Sequence, residues 1–400
     1  MLDYSFFLSL AIILGATKLF GTITKRFRLP QVVGALVAGI IIGPACFNVV
    51  SETDFLLKLA EVGVVMLMFN AGLETDIKQI RKTGVSAILI ATIGVIVPMA
   101  GGFLVNLAFF NGQEYGDILP SIFLGVVLTA TSVSITVETL RELGKLKGKI
   151  GSAILAAAVI DDILGIIVLT VITGFTDKNV NPGEVFLRIV LFGVATVIVG
   201  GVMRFIFKRL EKRHQRVRRI PIYGLVFCFA FAYIAEQFFG IADIIGAYFI
   251  GIILSNFEQS EYIARRVDIA SYMFFSPIFF ASVGLSVSFS GMTWSILLFG
   301  VVLLIVAMVT KLIGCGGAAL LCRFTIFESV AVGIGMISRG EVALIVAQKG
   351  LSTNLISQTI FPAIIFVVVL TTLVAPILLK VVFSKEKPEE LGLSKGPMHN

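Results

Sequence analysis

Apolar residues run along this chain in long, nearly unbroken stretches separated by short polar punctuation. They show neither the alternation of a half-buried strand nor the narrow stripe of a soluble helix. About thirteen stretches are long enough, at 1.5 Å per residue, to match a ~30 Å hydrocarbon slab. They cover residues 4–22, 31–50, 55–73, 84–108, 118–140, 149–174 and 184–207, then 220–238, 241–256, 267–287, 293–321, 326–348 and 355–383. The pattern predicts an all-α polytopic membrane protein.

Composition supports that prediction. Of 400 residues, 57% are hydrophobic and only 14% charged, with a mean hydropathy of +1.01. A water-soluble surface cannot be built from such a chain, so its solvent is the lipid bilayer. The net charge of +7 does not indicate nucleic acid, because the basic residues sit in short clusters between apolar runs. One set of connections holds KRFR at 25–28, Lys78 with Arg81 and Lys82, RELGKLKGK at 141–149 and KRLEKRHQRVRR at 208–219. Arg265, Arg266, Arg323 and the tail lysines continue that set. The other set (NVVSETD, NGQEYGD, TDKNVNPGE, EQFFGIAD, SVSFSGMT, QKGLSTN) is poor in Lys and Arg. The positive-inside rule then puts the N-terminus outside and the C-terminus in the cytoplasm of a cell (inner) membrane, which suits an odd number of spans. Asp3 precedes the first span and its positive charges follow it, so the span reads as a retained helix rather than a cleaved signal.

Few ionisable residues fall deep in the apolar runs. Asp161 and Asp162 lie in KIGSAILAAAVIDDILGIIVLTVITGF, about 12 residues from Lys149, or roughly 18 Å along a helix. Charge at such depth is expensive, and the default reading of an acidic pair there is an ion or proton site. Lys311, in VVLLIVAMVTKLIGCGGAALLC, is similarly deep, too far in to reach either surface. It calls for a carboxylate partner, Asp161 or Asp162. A static ion pair is the plainer reading, but two acids and one amine leave an acid over. Cys46, Cys228, Cys315 and Cys322 lack metal-ligand spacing and read as packing residues. His214 and His399 fall in a basic loop and in the tail, with no sign of a metal or catalytic role, and no nucleophile–base set or phosphate loop points to an enzyme or a cofactor.

Two spans carry polar interruptions. Thr129, Thr131, Ser132 and Ser134 cluster midway through the fifth, where local unwinding would free backbone carbonyls for a hard cation. Arg339, Gly340 and Glu341 interrupt the twelfth, where charge offsets exposed helix ends. Spans seven apart cross in opposite directions, and paired broken helices of opposite direction mark an inverted-repeat transporter. Asn70, Glu74 and Glu236 are weaker candidates, the two glutamates lying near span ends. Pro277 should kink the tenth span.

The motifs VIDDILGII, LTATSVSIT, FNAGLE, AEQFFGIADIIGAYFIGIIL, SPIFFASVGL and GMISRGEVALI, with the lysine of TKLIGCGG, together resemble the monovalent cation–proton antiporters, the NapA-type sodium/proton antiporters above all. The resemblance covers nearly the whole chain. It implies inverted repeats with two crossed discontinuous helices, a core bundle and a dimerisation bundle. Helices 1–3 (residues 1–83) and 8–10 (220–288) would form the dimerisation bundle of a homodimer. Helices 4–6 (84–175) and 11–13 (289–384) would form the core, 176–219 a linker helix with its basic loop, and 385–400 a cytoplasmic tail. It further implies that Asp162 is the main cation-binding carboxylate and that Asp161 partners Lys311. Thr131 and Ser132 would lie at the unwound helix by the ion, and Arg339 and Glu341 would support the breaks. Na+ would be held by Asp162, Asp161 and Thr131, and exchange against H+ would be electrogenic. Na+, Li+ and K+ stay unranked, and a cation channel or an ion-sensing protein are the readings from other classes.

Overall fold

The computed structural model describes residues 4–27, 29–75, 77–110, 117–176, 182–213, 220–287 and 292–384. His214, His399, the tail 385–400 and most of the NGQEYGD and TDKNVNPGE loops lie outside them. The regular structure of the described residues is helical. In chain order come α1 (Ser5–Arg26), α2 (Gln31–Ile42), α3 (Asp54–Glu74), α4 (Ile77–Phe110), α5 (Ile118–Val127), α6 (Val133–Glu142), α7 (Lys149–Thr176) and α8 (Pro182–Arg213). There follow α9 (Ile220–Ile234), α10 (Asp243–Ser255), α11 (Ser260–Ala270), α12 (Ser276–Leu285), α13 (Trp294–Leu321), α14 (Ile326–Gly335), α15 (Glu341–Ser352) and α16 (Phe361–Ser384). Wider π-turns at Ala235–Phe239 and Ser271–Phe275 extend α9 and join α11 to α12.

Among the described residues nine helical stretches are long and apolar enough to cross a membrane, and α2, α5, α10, α14 and most of α15 are shorter apolar pieces. Large side chains such as Val85, Ile96, Leu104, Val197 and Phe205 are exposed, as lipid-facing residues must be. Helix ends carry their own caps: the Thr53 hydroxyl accepts from Leu56 N (3.3 Å), and Thr325 with Glu328 forms a capping box.

The helices sort into two packing groups. In the first, α1 lies on α2, both meet α12, and α3 packs on α10, α11 and α12, with α9 against α10. A Cβ on Gly251 would collide with the Phe69 carbonyl, so α3 and α10 meet backbone to backbone. In the second, α4 packs on α5, α7 and α13, α13 on α14 and α16, and α15 on α5 and α16. Helix α8 touches α7 on one side and α10 on the other.

Several span limits differ from the sequence reading. Span two stops at Ile42, not 50, where Gly43 and Pro44 end the helix. Lys78 and Lys82, read as loop, lie inside α4, and α8 runs on to Arg213, because Lys, Arg and Gln are good helix formers once the chain leaves the apolar slab. Arg265 and Arg266 likewise belong to α11, which starts the tenth span at Ser260 rather than 267. The expected Pro277 kink takes a specific form: the turn before it opens into the π-turn Ser271–Phe275, since proline has no N–H to close an α-helical bond. Cys228 and Cys315 are buried, Cys322 is partly buried, and Cys46 is exposed.

A candidate ion site where two broken helices meet

Both interrupted spans are broken. α5 ends at Val127 and α6 begins at Val133; α14 ends at Gly335 and α15 begins at Glu341. The two breaks are stitched to each other. Ser132 N donates to the Ser338 carbonyl (2.7 Å), and the Ser338 hydroxyl donates to the Ser132 carbonyl (3.0 Å). Thr136 adds hydroxyl contacts to Ser338 (2.7 Å) and donates to the Gly335 carbonyl (2.8 Å). The Ser132 and Ser134 hydroxyls lie 3.2 Å apart. A Cβ at Gly340 would sit 2.6 Å from the Ser132 Oγ, so this close approach admits only glycine.

Breaking a helix in a membrane leaves carbonyls at one stub and N–H groups at the other without intrahelical partners. Arg339 answers the carbonyls. It is fully buried, and its guanidinium donates to the carbonyls of Leu128 (2.7 Å), Ile337 (2.8 Å) and Ala307 (3.1 Å). Leu128 closes α5 and Ile337 follows α14, so one fixed cation sits at the negative ends of two half-helices. Glu341 begins α15 as expected, but its side chain lies outside the described residues.

The acidic pair stands beside this crossing, on the unbroken helix α7. Lys311 of α13, with no exposure at all, donates to both carboxylate oxygens of Asp161, at 3.1 and 3.0 Å. Thr131, in the first break, donates its hydroxyl to the same carboxylate at 2.6 Å. Asp161 therefore joins three elements: its own helix, the lysine helix and the unwound segment. Asp162 is buried to 6% exposure, and as the next residue on an α-helix it projects about 100° round from Asp161. Two carboxylates, a threonine hydroxyl and nearby main-chain carbonyls are hard oxygen donors of the kind that replace the hydration shell of a small cation.

The structure thus brings Asp161, Lys311, Thr131, Ser132 and Arg339 to one crossing. Ser338 and the Leu128 and Ala307 carbonyls were missed by the sequence reading. So was a second charged cluster at the basic end. Arg141 of α6 pairs with Glu74 (3.0 Å) and Asp268 (2.5 Å), and lies 3.7 Å from Glu138. The Asn70 amide, with its oxygen toward Arg141, accepts from that guanidinium and donates to the Ala264 carbonyl (3.3 Å). The spacing of Asn70 and Glu74, four apart on one helix face, was the available signal that a cation approaches there.

Known proteins are similar to this chain over nearly its whole length. The sequence model of the transmembrane sodium/hydrogen exchangers matches residues 10–385. The chain is 40% identical over 391 residues to the Na+/H+-K+ antiporter GerN of Bacillus cereus, covering 96% of this chain and 98% of that one. It is 37% identical over 376 residues to a Na+/H+ antiporter of Enterococcus hirae, covering 93% and 96%. Among solved structures, the sodium proton antiporter MjNhaP1 of Methanocaldococcus jannaschii shares the fold with a TM-score of 0.68 at 15% identity, over 94% of this chain and 95% of that one.

Proposed function

This chain belongs to the transmembrane sodium/hydrogen exchanger family, a family of transporters and not enzymes, and from that premise we propose that it exchanges Na+ for H+ by alternating access at the Asp161–Asp162 site. The observation that carries the proposal is the Lys311 amine on both oxygens of Asp161, beside the broken-helix crossing. Without the cation, the amine occupies Asp161 and a proton occupies Asp162. Na+ binds through Asp162, Asp161 and the Thr131 oxygen, taking the carboxylate from Lys311.

Two protons leave on binding, one from Asp162 and one from the displaced ammonium. The loaded site then holds two carboxylates, one Na+ and a neutral amine. Its charge is one unit more negative than in the protonated state, so two H+ cross for each Na+ and exchange is electrogenic. One site cannot hold amine and cation at full strength together, and this competition couples the two fluxes. In this reading the second packing group is the moving core, with inverted repeats around its crossed breaks. The first group is the scaffold, the face of a homodimer. The basic end lies in the cytoplasm of a cell membrane.

The test is pH-gradient-driven Na+ flux in proteoliposomes. Asp162→Asn should abolish it, and undiminished exchange would rule the site out. A second reading, in which K+ shares the site, is supported by the 40% identity to a relative whose name includes K+. The same assay run with Na+, Li+ and K+ ranks the three.

A further inference from the structure

The seam between the two packing groups is not uniform. At the basic end a single apolar cluster runs across it, joining α6, the first half of α7, α14 and the end of α16 to α2, α3, α9 and α10. Toward the other end the second group closes on itself. Phe123, Leu124, Phe299, Leu303, Ala343 and Val367 belong to a cluster whose buried members all come from that group. There the groups meet in a small patch of Val287 with Ile365 and Val369.

Polar links across the seam gather at the basic end. The Glu142 carboxylate, at the end of α6, accepts from the backbone N–H groups of Gln31 (2.6 Å) and Val32 (3.3 Å). These are the first two residues of α2, whose N-cap is Pro30 with no side-chain cap. The α2 N-terminus therefore takes its capping anion from the other group. One residue earlier, Arg141 reaches Glu74 at the end of α3 and Asp268 on α11. The third link is Lys380 of α16, which donates to the Phe27 carbonyl at the end of α1 (3.3 Å). A cleft of about 310 Å3 opens beside these contacts, lined by Glu138 and Glu142 from α6 and by Lys18, Gln31 and Tyr272 from the first group.

We infer that Arg141 and Glu142 form a latch that holds the basic-end gate shut and must release in every transport cycle. The inference rests on the alternating-access reading, since a seam that never opens needs no latch. The latch has chemistry suited to release. Its side chains are partly exposed, with Arg141 and Glu74 each at 20% and Asp268 at 41%, so water and ions replace the bonds as they break. The cleft supplies space next to α6 into which the released side chains can move. Both latch residues ride on the half-helix that follows the first break, so the Thr131–Asp161 contact and the gate are ends of one short segment, residues 131–142.

The experiment tethers the latch. Gln31→Cys and Glu142→Cys are combined in full-length protein whose Cys46 and Cys322 are replaced by Ser. The protein is reconstituted and treated with dibromobimane, a short crosslinker that fluoresces once both ends have reacted with thiols. The expected result is a fluorescent protein whose Na+/H+ exchange falls at least tenfold, while each single-cysteine variant, treated alike, keeps its exchange. A fluorescent protein that still exchanges at its untreated rate overturns the latch. So does the absence of fluorescence, because the two positions then are not neighbours, and so does equal loss in the single variants, because tethering then is not the cause. Exchange by the untreated parent reports separately on the proposed function: if the parent carries no Na+ against H+, that reading fails before the crosslinker is added.

Discussion

Two clusters of opposite charges, one built on a lysine and one on an arginine, differ in place, burial and number of partners. The Asp161–Lys311 pair lies within one packing group, with side chains 1% and 0% exposed. The Arg141 cluster lies between the groups, with side chains from 10% to 41% exposed. Inside, neither charge has water to fall back on, so each requires the other, and the geometry is over-determined by Thr131 and two fixed helices. At the seam Arg141, Glu74 and Asp268 have water as an alternative, so their bonds are exchangeable, while Glu138 is the most buried member. The proposed exchange cycle uses both kinds: a pair that yields only to a competing cation, and one that opens and closes with the gate.

The sharpest way to break the comparison is to remove one buried partner. Lys311→Met leaves Asp161 without its amine in a dry site, which should lower stability by about 3–5 kcal/mol. Melting of the purified protein in detergent reads this directly. Adding Asp161→Asn to that variant removes the orphaned charge and should recover most of the loss while exchange stays absent. If the double variant melts no higher than the single, the penalty is not an uncompensated charge, and the contrast with the seam loses its physical basis.

The two clusters were not equally legible in the sequence. Asp161, Asp162 and Lys311 stand out because an ionisable letter inside an apolar run is rare, and its cost in lipid gives it meaning. The breaks were legible as hydroxyls in one span and Arg339–Gly340 in the other. Their stitching was not, because three of the four groups that pair Ser132 with Ser338 are main-chain groups that every residue carries, and the fourth is the Ser338 hydroxyl. The same holds for the Leu128 and Ala307 carbonyls under Arg339. Arg141 was visible only as one more basic residue in a basic connection, where topology already explained it. Its partners Glu74 and Asp268 lie 67 and 127 positions away, and only the packing of α3 on both α6 and α11 brings them together.

A milder substitution sharpens the contrast from the other side. Arg141→Gln removes the seam's cation but leaves its carboxylates partly in water, so the loss of stability should be about 1 kcal/mol after screening. The larger effect belongs to conformation. A latch worth about 1 kcal/mol shifts a two-state equilibrium about fivefold toward the state open at the basic end. The apparent KM for Na+ presented at that end should fall, and the KM from the opposite side should rise, in oriented vesicles. A melting loss as deep as that of Lys311→Met would mean that the seam is a structural core and not a gate.

The smallest expected effect isolates what makes an ion pair matter. Arg265 and Glu261 of α11 form a salt bridge at 2.9 Å, nearly the 3.0 Å of Arg141 and Glu74, and with the same residue types. Their side chains are 74% and 77% exposed, and they sit four apart on a single helix. Glu261→Gln should therefore change stability by no more than about 0.5 kcal/mol and leave both KM values for Na+ where they were. Distance and residue types are matched in the two pairs, but Arg141 has further partners in Asp268 and Glu138, is less exposed, and joins separate helices. One stays within a helix turn and the other crosses the seam that opens in the proposed cycle. The two variants change the net charge in opposite directions, so KM shifts of similar size and opposite sign would trace the effect to the protein's overall surface charge, and Arg141 would lose its claim to act at the seam.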